Sequence, residues 1–454
     1  MKMRKFLVYI AVAILIPINN YSQEADLWTL ERCIEYALEN NLSIQRMELQ
    51  SRISSRDLNQ SKYNMLPSLG AGVEHQLSSG RSLNTEIYEW ENKKKQQGSA
   101  GLRSDLTLFN GFQNLNNISF NKFLYLSSQE DLEAIKNDMT LSVVAYYLDI
   151  LFAEELLEVA RSQYEVTLLQ VDKNRKLVEV GNAAKSELLE IQAQASSEKL
   201  RVTMAENSLQ LAVLDLTQLL DLDSVGNFTV YKPEDLVVDG VSLSKDMQDI
   251  YSTAVEFLPQ IKSAEYMVRA QEKAVDMNKA NRFPELYLTG LYYSRYLRGA
   301  IHPLDDPLNP TLDYPYIDQI KDNRYAQLTI GLSIPLFTRF QTQTNISKSK
   351  ILLKDYNLFL EQKKQSLYKT IQQNHADALA ALDKYISAME AVTSNEEAFN
   401  YTQQKFEVGL VNSVDFNVAK NNLSKARSDL AQAKYEYIFK VKILDFYTGK
   451  PIQL

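Results

Sequence analysis

Residues 326–336 read Ala-Gln-Leu-Thr-Ile-Gly-Leu-Ser-Ile-Pro-Leu, and from Leu336 to Val408 the chain holds neither glycine nor proline. Side chains alternate along an extended backbone. The first stretch therefore sets Ala326, Leu328, Ile330, Leu332, Ile334 and Leu336 on one face of a strand, and Gln327, Thr329, Gly331, Ser333 and Pro335 on the other. The second stretch lacks the two residues that interrupt helices, so it reads as one helix of about 70 residues, about 100 Å long. An ordinary globular helix is several-fold shorter.

The same junction occurs earlier. Phe112 to Val180 is also free of glycine and proline. Before it, Leu102, Leu106 and Leu108 alternate with Arg103, Asp105 and Thr107. Ser-Asp-Leu-Thr-Leu-Phe-Asn-Gly-Phe (104–112) resembles Leu-Ser-Ile-Pro-Leu-Phe-Thr-Arg-Phe (332–340), an offset of 228. Glu-Val-Gly at 179–181 recurs at 407–409 with that offset, and Asn-Met-Leu-Pro-Ser-Leu (64–69) resembles Asn-Arg-Phe-Pro-Glu-Leu (281–286) at 217. Fixed offsets mark an internal duplication, with a longer inter-strand loop in the second half.

Heptads follow the offset of 228. Val143, Ile150, Leu157, Tyr164, Val171 and Val178 step by seven, as do Ile371, Ala378, Tyr385, Val392, Phe399 and Phe406. Past the two glycines, Leu188, Ala195, Val202, Leu209 and Leu216 match Phe416, Leu423, Leu430, Tyr437 and Leu444. A seven-residue repeat keeps one seam against a neighbouring helix. Gly181 and Gly409 therefore read as stops between a long helix and a shorter return, with Ser186, Glu187, Ser413 and Asp415 at the restarts. Each half also opens with a helix, expected over 28–63 and 246–281.

Two further strands are expected at Leu69–Leu77 and Leu286–Tyr296, with polar loops at Ser78–Ser99 and Leu297–Arg324. About ten residues with one apolar row and aromatic flanks is the pattern of a transmembrane β-barrel strand. Leu102, Leu106, Leu108, Leu328, Ile330, Leu332 and Ile334 are the expected lipid-facing residues. Four strands cannot close a barrel, since about eight is the smallest common number, so strands that span a membrane require the chain to oligomerise; three copies would supply twelve.

The remaining features bound the function. A formal net charge of −8 argues against nucleic acid as a partner. Lys2, Arg4 and Lys5 precede an apolar run from Phe6 to Ile16, which reads as a removed signal peptide, 1–23. The repeats are then 24–221 and 246–454, joined by a linker, 222–245. The single cysteine, Cys33, excludes an intrachain disulfide and a thiolate metal cluster, and its charged neighbours Glu31 and Arg32 argue against lipidation. His75, His302 and His375 lie in separate elements, and no catalytic or phosphate-cradling motif occurs. No enzyme activity, cofactor or metal is expected.

Helix, strand, strand, long helix, glycine turn and helix, then all of it again, resembles the TolC family of outer-membrane efflux proteins. The opening Thr-Leu-Glu-Arg-Cys-Ile-Glu-Tyr-Ala-Leu-Glu-Asn-Asn (29–41) and the tips Val180-Gly181-Asn182 and Val408-Gly409-Leu410 carry the likeness. The resemblance implies a mainly α fold, with long antiparallel coiled coils forming a periplasmic α-barrel. It adds a trimeric twelve-stranded barrel in the outer membrane of a Gram-negative cell. It implies passive export from an inner-membrane transporter through a periplasmic adaptor that meets the tips. Asp415, and its first-half counterpart Glu187, fall where the family places acids around the periplasmic aperture. The chain departs from the family at Asn182, where an apolar residue is usual, and at Val418, where a second acid would fall. The alternatives are a type I polypeptide secretion channel within the family and a poreless periplasmic coiled coil outside it.

Overall fold

The structure, a computed structural model, describes residues 27–84, 88–222, 228–233, 243, 246–306, 310–450 and 452. The segment read as a signal peptide and most of the linker at 222–245 lie outside the described residues. In order come β1 (Leu27–Trp28), α1 (Leu30–Asn40), α2 (Leu42–Tyr63), β2 (Gly70–Asn84), β3 (Glu89–Asn110), α3 (Gln113–Glu179) and α4 (Lys185–Leu219). Then follow β4 (Thr229–Val230), α5 (Met247–Phe257), α6 (Pro259–Ala280), β5 (Glu285–Leu297), α7 (Tyr316–Asp322), β6 (Tyr325–Ser333), α8 (Gln341–Glu407) and α9 (Ser413–Tyr447).

The helices pair off in length. α3 and α8 have 67 residues each and α4 and α9 have 35. α2 and α6 have 22, and α1 and α5 have 11. The expected helices over 28–63 and 246–281 are each split in two. Asn41 takes an extended conformation, accepts a hydrogen bond from the Ser43 amide (2.9 Å) and donates to the Leu219 carbonyl (3.1 Å). Its counterpart Leu258 is extended because Pro259 follows it at the first position of α6.

Two compact units arise, and each draws on both sequence halves: Met1–Gln45 with Ile135–Val255 and Leu367–Leu454, and Arg46–Ala134 with Glu256–Ser366. In the first, Trp28, Leu30, Cys33 and Ala37 pack with Val143, Tyr147, Leu151, Leu216 and Ile438. β1 and β4, which pattern reasoning did not anticipate, pair in parallel, and the Tyr147 hydroxyl donates to the carbonyls of Trp28 and Tyr231. Two-residue strands carry no periodicity to read. Each heptad residue named above is buried or half-buried.

The second unit holds an antiparallel sheet in the order β2-β3-β5-β6. Its register aligns one row across all four strands. Val73 faces Ala100, Ala71 faces Leu102, Leu102 faces Tyr292, Leu106 faces Leu288, and Leu288, Gly290 and Leu286 face Ile330, Leu328 and Leu332. Leu328, Ile330 and Leu332 are exposed by 72%, 67% and 61%, so this part of the apolar row has no cover among the described residues. The opposite face carries Glu74, Gln97, Arg103, Asp105 and Thr289, and Asp105 accepts hydrogen bonds from Arg103 and Thr289.

Three expectations change. Ser78–Ser99 is not a loop: its described residues continue β2 and β3 in register, from Ser78 opposite Lys95 to Asn84 opposite Glu89. Polar side chains hid that strand, because alternation is visible only where one face is apolar. Ile334 and Leu336 lie beyond β6, which ends at Ser333 opposite the first residue of β5; no partner remains, and Pro335 has no amide to donate. Leu108 occupies a register shift between Thr107 and Phe109, so Phe109 faces Leu286 in the row. Among the described residues no helix is long and apolar enough to cross a membrane.

Burial pushes the Cys33 thiol up to about 12, and its side chain is inaccessible. The folded chain should therefore resist maleimide at pH 7.5 and take up one equivalent on denaturation, read by intact mass. Labelling of the native chain would contradict this placement.

Candidate functional site

The two helix hairpins end alike. In the first, the Gly181 amide donates to the Val178 carbonyl (3.1 Å) and the Asn182 amide to the Leu177 carbonyl (2.8 Å). In the second, Gly409 donates to Phe406 (3.2 Å) and Leu410 to Lys405 (2.8 Å). This pair of bonds satisfies carbonyls left over at a helix end and requires a left-handed residue, which is why glycine stands at both places with φ near +79° and +78°. Val180, Val408 and Leu410 are exposed by 69%, 71% and 77%. At the same place in the first tip Asn182 offers an amide, so the tips are apolar to unequal degrees.

The restarts also differ. Asn412 caps α9, accepting from the Asp415 amide at 2.8 Å, whereas its counterpart Ala184 caps α4 with no side-chain bond. Capping therefore falls to Asn412, and the Asp415 side chain stands exposed in the first turn, as Glu187 does in α4. Among the described residues no hydrogen bond or ion pair joins Glu187 to Asp415. Phe416, buried behind Asp415, packs on Phe399 and Phe406 of α8, and the Lys173 ammonium of α3 lies 5.9 Å from the Phe406 ring centre.

Further along the hairpins lies a buried charge that pattern reasoning missed. Lys420 of α9 and Glu198 of α4 are 2% and 1% exposed, and their side chains meet at 2.8 Å. Thr167 of α3 bonds both, and the Gln194 side chain donates to Glu198 at 2.8 Å. Burial pulls the Lys420 ammonium below the usual lysine range, while its bond to Glu198 pulls the other way. The amide nitrogen of Gln163 and the amide oxygens of Asn417 and Asn421 are buried nearby without partners. A signal was present: Lys420 lies four residues past Phe416 and three before Leu423, on the seam face, and Glu198 lies three past Ala195. At an offset of 228 the counterparts are Gln192 and Ala426, so the pair is not duplicated.

The hairpin ion pairs between Arg161 and Glu206 and between Arg427 and Glu396 are exposed, and each contributes about 1 kcal/mol or less. Removing one partner of the buried pair is different in kind. Glu198→Gln or Lys420→Met should destabilise the fold by about 3–5 kcal/mol, and Glu198→Met with Lys420→Met by much less. Denaturant unfolding of the three variants checks this; equal losses in single and double variants would rule out a compensated pair.

Paired helical hairpins, with an antiparallel sheet bearing a bare apolar row, define the class of outer-membrane channels built from long helices and membrane strands. The chain matches the Outer membrane efflux protein family over residues 33–221 and 250–450 and belongs to that family. It is 20% identical to outer membrane efflux protein BepC of Brucella suis over 424 residues, covering 93% of this chain and 85% of BepC. It is 22% identical to outer membrane protein TolC of Escherichia coli over 420 residues, covering 86% and 77%. Its fold matches the outer membrane channel CmeC of Campylobacter jejuni with a TM-score of 0.78 at 17% identity, covering 95% of this chain and 88% of CmeC. The chain's function is that of an outer-membrane efflux channel, and the family is one of channels.

Proposed function

We propose that three copies of the chain close one twelve-stranded barrel in the outer membrane and conduct cargo passively to the exterior. One observation carries this reading. The sheet has two open edges, β2 and β6, beside a row of uncovered apolar side chains. In hydrocarbon an unpaired strand edge costs several kcal/mol for each unsatisfied group, so β6 of one copy must pair with β2 of the next. The row Leu102, Leu106, Leu328, Ile330 and Leu332 then faces lipid, and the polar row with Arg103 and Asp105 faces water.

The tips Val180-Gly181-Asn182 and Val408-Gly409-Leu410 receive a periplasmic adaptor that joins the channel to an inner-membrane transporter. Their exposed valines and Leu410 supply apolar surface for it. Threefold symmetry sets three copies of Asp415, and three of Glu187, around one axis, where they attract cations. The repeats 24–221 and 246–454 supply equivalent hairpins to that ring. The chain carries a signal peptide, removed on export, and no lipid; the burial of Cys33 supports the latter.

Leu332→Arg should cost about 2–4 kcal/mol in refolding into lipid vesicles if Leu332 sits near the bilayer midplane, whereas Gln327→Arg, an exposed position on the water side of the same strand, should not carry that lipid-burial cost. Equal cost at both positions would argue against the assigned faces. In planar bilayers the purified chain should form conducting trimers. Asp415→Ala should lower cation preference and relieve block by divalent cations from the periplasmic side. Unchanged selectivity and block would move the aperture away from Asp415, and absence of conductance in the wild type would defeat the channel assembly itself.

A further inference from the structure

The apolar row does not end where the hydrocarbon should. Following it along β3 from Leu102, the same face presents Ala100, Gly98, Gln96, Lys94, Asn92 and Trp90, paired on β2 with Val73, His75, Leu77, Ser79, Arg81 and Leu83. Tyr296 stands opposite Gly98, and its hydroxyl bonds His75 at 2.5 Å. Gln96 carries the chain of contacts on: its amide lies 3.3 Å from the other His75 ring nitrogen, and its carbonyl oxygen accepts from Arg298 at 3.3 Å. The row thus changes from aliphatic to aromatic at Tyr292, Tyr296 and His75, and beyond them carries the cations Arg298, Lys94 and Arg81 among Leu77, Leu83 and Trp90.

Distance places the basic residues. From Phe109 to Gly98 the strand runs about 36 Å, which at a tilt of about 40° spans about 28 Å, close to the apolar band of an outer-membrane barrel. Lys94 and Arg81 follow about 10 and 15 Å further out by the same measure. Both therefore lie past the hydrocarbon, on the outer side where headgroups project. Lys94, Arg81 and Arg298 are exposed; among the described residues none is in an ion pair, and no carboxylate shares their row. The Arg81 guanidinium lies 5.6 Å from the Trp90 ring centre, which holds its fork of donors along the outer face.

We propose that Arg298, Lys94 and Arg81 form a docking row for the phosphate groups of the phosphorylated glycolipid in the surrounding outer leaflet. The inference rests on the membrane placement proposed above. The strand is extended past the hydrocarbon, and the row that meets lipid below meets lipid headgroups above. Basic side chains at a membrane surface attract anionic headgroups, and an arginine fork matches phosphate oxygens. Aromatic residues at the boundary fix the depth at which the cations emerge.

The test uses the full-length trimer in detergent, with lipid A and lipid A stripped of its phosphates as probes. Binding is read by native mass spectrometry and by the rise in unfolding temperature. Wild-type protein should hold lipid A at least about tenfold more tightly than the dephosphorylated form, a preference that weakens with salt. The triple variant Arg81→Gln, Lys94→Gln, Arg298→Gln should lose that preference while keeping the single-channel conductance of the wild type. Equal binding of both glycolipids by a conducting wild-type trimer would overturn this inference alone, as would a triple variant that conducts and still prefers lipid A. Competition by inorganic phosphate at equal concentration would also overturn it, since a free anion site would then explain the row. A wild-type chain that forms no conducting trimer would overturn both this inference and the channel assembly beneath it.

Discussion

A sheet in hydrocarbon cannot leave backbone amides and carbonyls without partners. The rest of this molecule depends on that constraint. Four strands with an uncovered apolar row have two open edges and no means of closing on themselves. In the proposed assembly, pairing β6 with the β2 of a neighbouring copy would leave neither edge open. The polar row, with Asp105 bonded to Arg103 and Thr289, fits the inner wall of the same sheet.

The helices answer a different requirement. α3, α4, α8 and α9 bury apolar seams, and heptads keep those seams aligned over great length. Such seams are tolerant of sliding, since one heptad looks much like the next. The Lys420–Glu198–Thr167 cluster is not tolerant, because a shift of one turn would strand a buried charge. It ties α9 of the second hairpin to α3 and α4 of the first, and it occurs once although the hairpins are otherwise alike. The hairpins differ again at the tips, where Asn182 stands for Leu410 and Ala184 for the capping Asn412. Duplication supplied the scaffold, and single substitutions made its halves unequal.

The tips illustrate how a local rule reaches the surface. Both helices end on left-handed glycines with the same pair of hydrogen bonds. The turn leaves Val180 and Val408 pointing at solvent, since the residue before such a glycine has no seam left to enter. A helix end so tightly specified offers apolar side chains without loosening the hairpin that carries them.

Much was legible in the residues themselves. Helix lengths, the glycine stops, the duplication at offsets of 217 and 228, and the apolar row of β6 follow from composition and spacing, because backbone sterics and side-chain period act locally. The split at Pro259 is equally local, since a proline holds the residue before it extended. Other features had no local trace. The polar extension of β2 and β3 is a strand only because Ser78 to Asn84 finds Glu89 to Lys95 opposite, and β1 exists only because β4 lies beside it. The ends of β6 and the place of Leu108 were decided by where β5 offers partners. The buried Lys420 looks like any surface lysine until Glu198, 222 residues away, is found against it. Sequence by itself determined which segments are rods, strands and stops. Tertiary structure alone decided which strands pair, how far they run and which charge lies inside, since hydrogen-bond partners and desolvation belong to residues brought together from distant parts of the chain.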